Sequence, residues 1–257
     1  MYLEYDFLGR FQAAADNGFS AVEMTFPYDI PASKIAKAAN AAGTQVVGLN
    51  TPAGELVPKQ QRGIAAIPGM QDDYLDQIRQ GIEFAQALGA PRVLTLAGLV
   101  PDEDAFSDMM HVFMVNLEHA AGLCADAKLT LLIEAQNTFE HPGYLLTTLF
   151  QVREIINTVQ APNLKCLFDF FHTQINEGDV TRRFQENIDL IEHVQIGDNP
   201  GRHEPGTGEL NYPYIFKAIE EAGYSGWVAG EYFPSTDKTS DSLGWMVECG
   251  LNETHEK

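Results

Sequence analysis

The sequence is short of cations, cysteine and long apolar runs, and each shortage closes off a class of function. Lysine and arginine number 16 against 36 aspartates and glutamates, a formal net charge of −20 at pH 7. Phosphate backbones and anionic membrane faces would be repelled over most of such a surface, so neither nucleic acid nor a membrane is an expected partner. The three cysteines, Cys124, Cys166 and Cys249, form no C-x-x-C pair. They are too few for a disulfide framework, which points to a reducing compartment. No stretch of about 18 consecutive apolar residues occurs, so no membrane span is expected. The first residues, MYLEYDFLGRF, carry Glu4 and Asp6 where a signal peptide would need a basic segment followed by an apolar one. The expected location is therefore cytoplasmic. H-E-x-x-H, G-x-x-x-x-G-K-[ST] and G-x-S-x-G are all missing, and no G-x-G-x-x-G turn follows an early strand.

What is present is a chain of 257 residues, 45% hydrophobic and 10% aromatic, long enough to bury a substantial core and far from the composition of disorder. No linker or low-complexity run divides it, so a single domain over residues 1–257 is expected. Strand and helix signals alternate throughout. Segments 19–26, 45–49, 92–97, 129–135, 164–169, 191–196 and 226–231 read as short apolar strands. Helical stretches separate them, among them 4–17, 32–42 and 72–88, several of which stop at Gly18, Gly43 or Gly89. Strand, crossover, strand repeated in this way implies a parallel sheet, and seven strands in one chain of this length favour a (β/α)8 TIM barrel over a doubly wound sheet. Phe7, Phe11, Trp227 and Trp245 read as core. The proline- and glycine-containing stretch 50–70 is a candidate lid.

In a barrel, chemistry sits where strands end. Four of the later strands end on an oxygen-bearing side chain, Glu134, Asp169, Gln195 and Glu231, spaced by about one strand-helix unit so that they come round the rim together. Three converging carboxylates repel one another unless a cation joins them. Three carboxylates and an amide oxygen without thiolate form a hard site, suited to Mg²⁺ first and Mn²⁺ second. Any one of these acids alone reads more readily as the start of a solvated loop or as the partner of a nearby cation or helix N-terminus; it is the set of four that argues for a site. The loop after Gln195 offers Arg202 and His203 as anion-binding groups, His172 lies three residues beyond Asp169, and Asn50 ends the QVVGL strand. Glu23 and Arg62 carry less of the argument.

The segments FPYD (26–29), LNTPAGE (49–55), RGIAAIPG (62–69), LIEAQN (132–137), FDFFH (168–172), HVQIGDNPGRHEPGTGELNY (193–212) and GWVAGEYFP (226–234) resemble, in order and over nearly the whole chain, the hydroxypyruvate isomerase family of xylose-isomerase-like barrels. The resemblance implies a metal held by Glu134, Asp169, Gln195 and Glu231, with Glu134 and Glu231 as the acid-base pair. Gln195 stands where many relatives have a histidine, which keeps the site all-oxygen. Arg202 and His203 are implied to contact a substrate carboxylate, and His172 to orient the metal site or a substrate oxygen. The implied reaction interconverts hydroxypyruvate and tartronate semialdehyde through an enediolate. A longer 2-oxo acid such as a 2-oxo-tetronate, an epimerase or dehydratase reaction on the same residues, or a non-catalytic binding domain all remain open. Relatives usually begin with a strand ahead of the segment matching EYDFLGRF, so the barrel is expected to be incomplete at its first strand. Two exposed sheet edges would then need cover, from the C-terminal tail or from a partner chain in a homo-oligomer.

Overall fold

The computed structural model describes residues 1–53 and 62–251. Seven parallel strands lie side by side in sequence order: β1 Ala21–Met24, β2 Gln45–Asn50, β3 Arg92–Leu94, β4 Thr130–Glu134, β5 Leu164–Asp169, β6 Ile191–Ile196 and β7 Val228–Gly230. Helix α1 Gly9–Asp16 precedes β1, and crossover helices carry the chain from each strand to the next: α2 Ala32–Ala42, α3 Gln71–Leu88, α4 Phe106–Asp126, α5 Leu149–Val159, α6 Phe170–Asn176 with α7 Val180–Glu186, and α8 Tyr212–Glu221. Every expected strand is present. β1 and β7 do not pair with each other, so this is a (β/α) barrel open by about one strand, as the sequence implied. No described helix is long and apolar enough to cross a membrane.

Alternation along each strand decides which residues enter the barrel. Val93, Leu131, Ile133, Cys166, Phe168, Val194 and Ile196 belong to the large apolar layer shared with the helices. The intervening residues turn inward, and Leu94, Leu96, Leu132 and Leu167 form a small separate cluster. Beside it, Glu23, Arg92 and His193 line the same small interior pocket as Leu94, Leu132 and Leu167. One residue pair further along each strand come Glu134, Asp169 and Gln195. Asp169 and Gln195 stand directly opposite in the β5–β6 register. The interior is thus graded from leucine through a polar layer to the acidic rim.

Three expectations need correction. The first helix begins at Gly9 rather than Glu4. Asp6 accepts the Gly9 N–H at 2.7 Å, a turn that competes with helix, while Glu4 accepts N–H and hydroxyl hydrogen bonds from Thr239. Trp227 is 38% exposed and borders the opening, whereas Phe11 and Trp245 are buried and Phe7 packs partly buried on the core. The candidate lid divides: 54–61 lie outside the described residues, and Ile64, Ala65 and Ala66 are fully buried. Gly63 makes that possible. It has a φ of +99°, and a side chain there would meet the Leu96 carbonyl oxygen at 2.1 Å.

The outer layer includes an aromatic cluster beneath the site. Phe184 on α7 is fully buried, with ring centroids 5.4 Å from Phe168 and 5.6 Å from Phe170. Phe184→Ala is expected to destabilise the chain by about 3–5 kcal/mol through lost burial and a residual cavity, measured as a reduced urea midpoint.

Candidate active site and metal centre

The strand ends deliver their acids to one cavity of about 640 Å³, lined by Glu134, Gln195, Glu231, His172, Asn50 and both Arg62 and Arg202, among others. Asp169, buried and not itself among the lining residues, is the residue where β5 passes directly into α6. Its Oδ1 accepts the Phe171 N–H at 2.8 Å, so the same carboxylate caps the helix and leaves Oδ2 for the site. His172 follows on the first turn of α6. Its Nδ1 accepts from the Asn137 side-chain amide at 2.6 Å, and the Asn137 oxygen is committed to the Glu140 N–H. The His172 proton therefore sits on Nε2, 3.6 Å from both Glu134 Oε1 and Asp169 Oδ2. Burial, then the nearby Arg202, hold this ring well below the usual histidine range, so it is neutral.

Arg202 threads among the acids. Its Nη2 donates to Glu231 Oε2 at 2.5 Å and to Asp169 Oδ2 at 3.3 Å, its Nη1 to Glu140, and its guanidinium lies 4.9 Å from the centre of the Phe171 ring. The loop that presents it is built on Asp198, whose carboxylate accepts the N–H groups of Asn199, Gly206, Gly208 and Leu210. Gly208 is required in that loop, because a Cβ there would fall 1.7 Å from the Asn199 oxygen. Arg202 itself has a φ of 51°, a conformation that costs a non-glycine residue about 1 kcal/mol and that the surrounding contacts impose. His203 is not among the residues lining the cavity. Its Nδ1–H donates to the Phe233 carbonyl at 2.7 Å, fastening this loop to the segment after β7. Asn50 lines the cavity, and its backbone oxygen accepts from the Tyr28 hydroxyl.

Two buried oxygens, Glu134 Oε1 and Gln195 Oε1, find no hydrogen-bond partner among the described residues. Their sister atoms are satisfied: Gln136 Nε2 donates to Glu134 Oε2 at 3.0 Å, Arg62 donates to Gln136 Oε1, and Gln195 Nε2 donates to Glu23 at 2.7 Å. Leaving such oxygens bare is expensive. Both residues line the cavity, and Glu134, Asp169 and His172 bring side-chain polar atoms within 4.8 Å of one another. The donor set fits a hard divalent cation better than zinc, since every oxygen is from a carboxylate or amide and the neutral His172 uses its free nitrogen to carry a proton.

The electrostatics of the protein groups follow from the crowding. Burial raises Glu231 to about 7, with Arg202 opposing and Asp169 adding. Burial raises Asp169 to about 6 against the pull of Arg202. Glu134 is pushed well above the usual carboxylate range by burial and then by Glu231 and Asp169. Burial works against the charge on Arg202, and Glu231, Asp169, Glu140 and Glu134 more than reverse it.

Several of these participants were not singled out from the sequence. Asp198, Gln136 and Asn137 sit in loops where no spacing marks them. His193 did carry a signal, since it precedes Gln195 by two in β6 and so faces the same way.

The sequence matches the family described as xylose isomerase-like TIM barrel over residues 11–249. A 2-oxo-tetronate isomerase from Cupriavidus necator is 40% identical over 246 residues, 96% of this chain and 94% of the relative. A hydroxypyruvate isomerase from Escherichia coli (strain K12) is 40% identical over 247 residues, covering 96% and 95%. Among solved structures, one titled AP endonuclease, family 2, from Brucella melitensis superposes with a TM-score of 0.92 at 36% identity, covering 96% of this chain and 95% of that one. The chain therefore belongs to the xylose isomerase-like TIM barrels and, within them, to the hydroxypyruvate isomerase family of isomerases.

A carboxyl whose pKa is higher folded than unfolded holds its proton more tightly in the fold. Its contribution is full below about pH 4, near the unfolded values, and is lost as pH rises through about 6 for Asp169 and about 7 for Glu231. Chelator-treated protein is therefore expected to melt at a lower temperature at pH 8 than at pH 5.5. Added Mg²⁺ or Mn²⁺ should raise the melting temperature more at pH 8. Equal shifts at the two pH values in differential scanning calorimetry would contradict the assigned cluster.

Proposed function

We propose that the chain interconverts hydroxypyruvate and tartronate semialdehyde, using a divalent cation held by Glu134, Asp169, Gln195 and Glu231, with Mg²⁺ preferred and Mn²⁺ able to replace it. The observation that carries this reading is the pair of bare, buried oxygens on Glu134 and Gln195 facing a cavity shared with Glu231. When bound, the cation supplies Lewis-acid polarisation of the substrate's carbonyl and hydroxyl oxygens.

The chain's own part is to move one carbon-bound proton. In hydroxypyruvate, a carboxylate takes a proton from C3, the electrons of that C–H bond form the C2–C3 double bond of an enediolate, and a carboxylic acid returns a proton to C2. The hydroxyl proton on the C3 oxygen passes to the C2 oxygen, leaving an aldehyde at C3 and a hydroxyl at C2. In this reading Glu134 and Glu231 take and return the carbon-bound proton, their roles exchanging with direction. His172 Nε2–H, fixed by Asn137, donates toward the site. The substrate's own carboxylate is met by Arg202 and by Arg62, whose charges balance an acidic cavity. Asn50 adds a polar contact at the β2 end, and His203 holds the Arg202 loop in place.

A four-carbon 2-oxo-tetronate is a second reading, because the cavity of about 640 Å³ has room for another hydroxymethylene group and a 40% identical relative carries that name. The DNA-enzyme title of the Brucella structure finds no support in a chain with a net charge of −20.

Product analysis by NMR in D₂O, with hydroxypyruvate and a 2-oxo-tetronate offered separately to metal-loaded protein, distinguishes the two substrates. Glu134→Gln and Glu231→Gln are expected to lower kcat by about 10²–10⁴-fold while retaining the fold. A Glu231→Gln variant with near-normal kcat would overturn the acid-base assignment. Arg62→Ala is expected to raise KM for the 2-oxo acid with a smaller effect on kcat, since its contact is to a part of the substrate that does not react.

A further inference from the structure

As a ligand, Gln195 poses a problem of orientation. An amide presents oxygen on one side and NH₂ on the other, and a half-turn about its last bond would aim a donor at the cation instead of an acceptor. The structure contains a chain of groups that removes this ambiguity. Arg92, only 7% exposed inside the barrel, donates from Nη1 to His193 Nδ1 at 3.3 Å. A guanidinium has no acceptor, so Nδ1 must accept and the His193 proton must lie on Nε2. That Nε2–H faces Glu23 Oε2 at 2.6 Å, and the other oxygen, Oε1, accepts from Gln195 Nε2 at 2.7 Å. The direction of each bond follows from the one before it. At the end of the chain stands Gln195 Oε1, buried and without a partner.

The ion pair that anchors the chain is itself held. Arg92 Nη2 donates to Glu192 at 3.2 Å, and Gly48 leaves room for the arginine stem, since a Cβ there would lie 3.2 Å from Arg92 Cγ. Three strands take part. Glu23 comes from β1, Arg92 from β3, and His193 and Gln195 from β6, so the relay crosses the barrel interior instead of following one strand.

We propose that Arg92, His193 and Glu23 are positioning residues that lock the Gln195 amide with its oxygen toward the cation site. The inference rests on the metal reading above and deepens it: the all-oxygen character of the site is imposed from the β1 strand, by a carboxylate that can only accept. Glu23→Gln keeps size and shape but supplies an NH₂ that can donate to Gln195 Oε1, so the amide at 195 is free to turn.

The test is Mn²⁺ binding to chelator-stripped protein, followed by the electron paramagnetic resonance signal of free Mn²⁺, with circular dichroism to verify folding. Glu23→Gln is expected to weaken Mn²⁺ by about 10–100-fold, the usual effect of losing a group that orients a ligand. Gln195→Glu is then placed in both backgrounds. A carboxylate has oxygen on either side and needs no orienting partner, so this change should help Mn²⁺ binding much more in the Glu23→Gln background than in the wild type. Failure of Gln195→Glu to restore Mn²⁺ binding in the Glu23→Gln background would overturn the relay, as would a Glu23→Gln protein that binds as tightly as a metal-binding wild type. Failure of the wild-type chain itself to bind Mn²⁺ would remove the metal reading, and the relay with it.

Discussion

The site is organised by the cost of gathering three carboxylates at one end of the barrel, two of them, on Glu134 and Asp169, withdrawn from water. Glu134, Asp169 and Glu231 share one end of the barrel, and the protein as a whole carries a net charge of −20. Distant surface charges are screened by salt, but neighbours in a low-dielectric pocket are not. The positive charges nearest them are therefore structural necessities as well as chemical ones. Arg202 reaches two of the acids directly, and Arg62 reaches Glu134 through the Gln136 amide. Neither arginine satisfies Glu134 Oε1 or Gln195 Oε1, the two oxygens that the proposed cation would meet.

Strand alternation turns this electrostatic demand into architecture. Leu132 and Glu134, Leu167 and Asp169, and His193 and Gln195 are pairs two residues apart, each with one member deeper in the barrel and one at the rim. Two of the deeper members are leucines, which seal the acids from below. The third is His193, which carries the polar relay to Glu23. The opening between β1 and β7 leaves this plan intact, because β4, β5 and β6 are each paired on both sides. Glu231, the residue after β7, and Glu23 on β1 stand beside the opening, and each is tied inward, by Arg202 in one case and by His193 and Gln195 in the other.

Local patterns in the sequence were enough for the strands and the rim. An apolar run ending on a carboxylate marks a strand entering a site, and LKCLFD and IEHVQI coincide with β5 and β6 to the residue. The helix at Ala32–Ala42 was equally plain, since Gly43 stops it in a left-handed conformation. Less legible were features that depend on long-range partners. The start of α1 was displaced because Glu4 and Asp6 prefer hydrogen bonds to Thr239 and to a local turn. Trp227 is apolar and yet borders the opening, a consequence of which strands fail to meet. Burial of Gly63–Ala66 in a stretch rich in loop residues depends on the Leu96–Ala97 backbone passing beneath it and on Asn116 donating to the Ala65 carbonyl.

Glu23 illustrates why some site residues escape a one-dimensional reading. Taken alone, a glutamate in AVEMTF is an acid at a strand end, no different from many that simply meet solvent. Its meaning comes from His193 and Gln195, about 170 residues later in the chain, and from the fact that both are donors toward it. Burial raises the free energy of its charge, while His193 and Gln195 return enough to hold its carboxyl below the usual range. A group kept ionised in this way is a fixed acceptor. Under the proposed relay the amide at 195 thereby becomes as directional as a histidine ring whose other nitrogen is engaged, and its oxygen is the atom left to face the proposed cation.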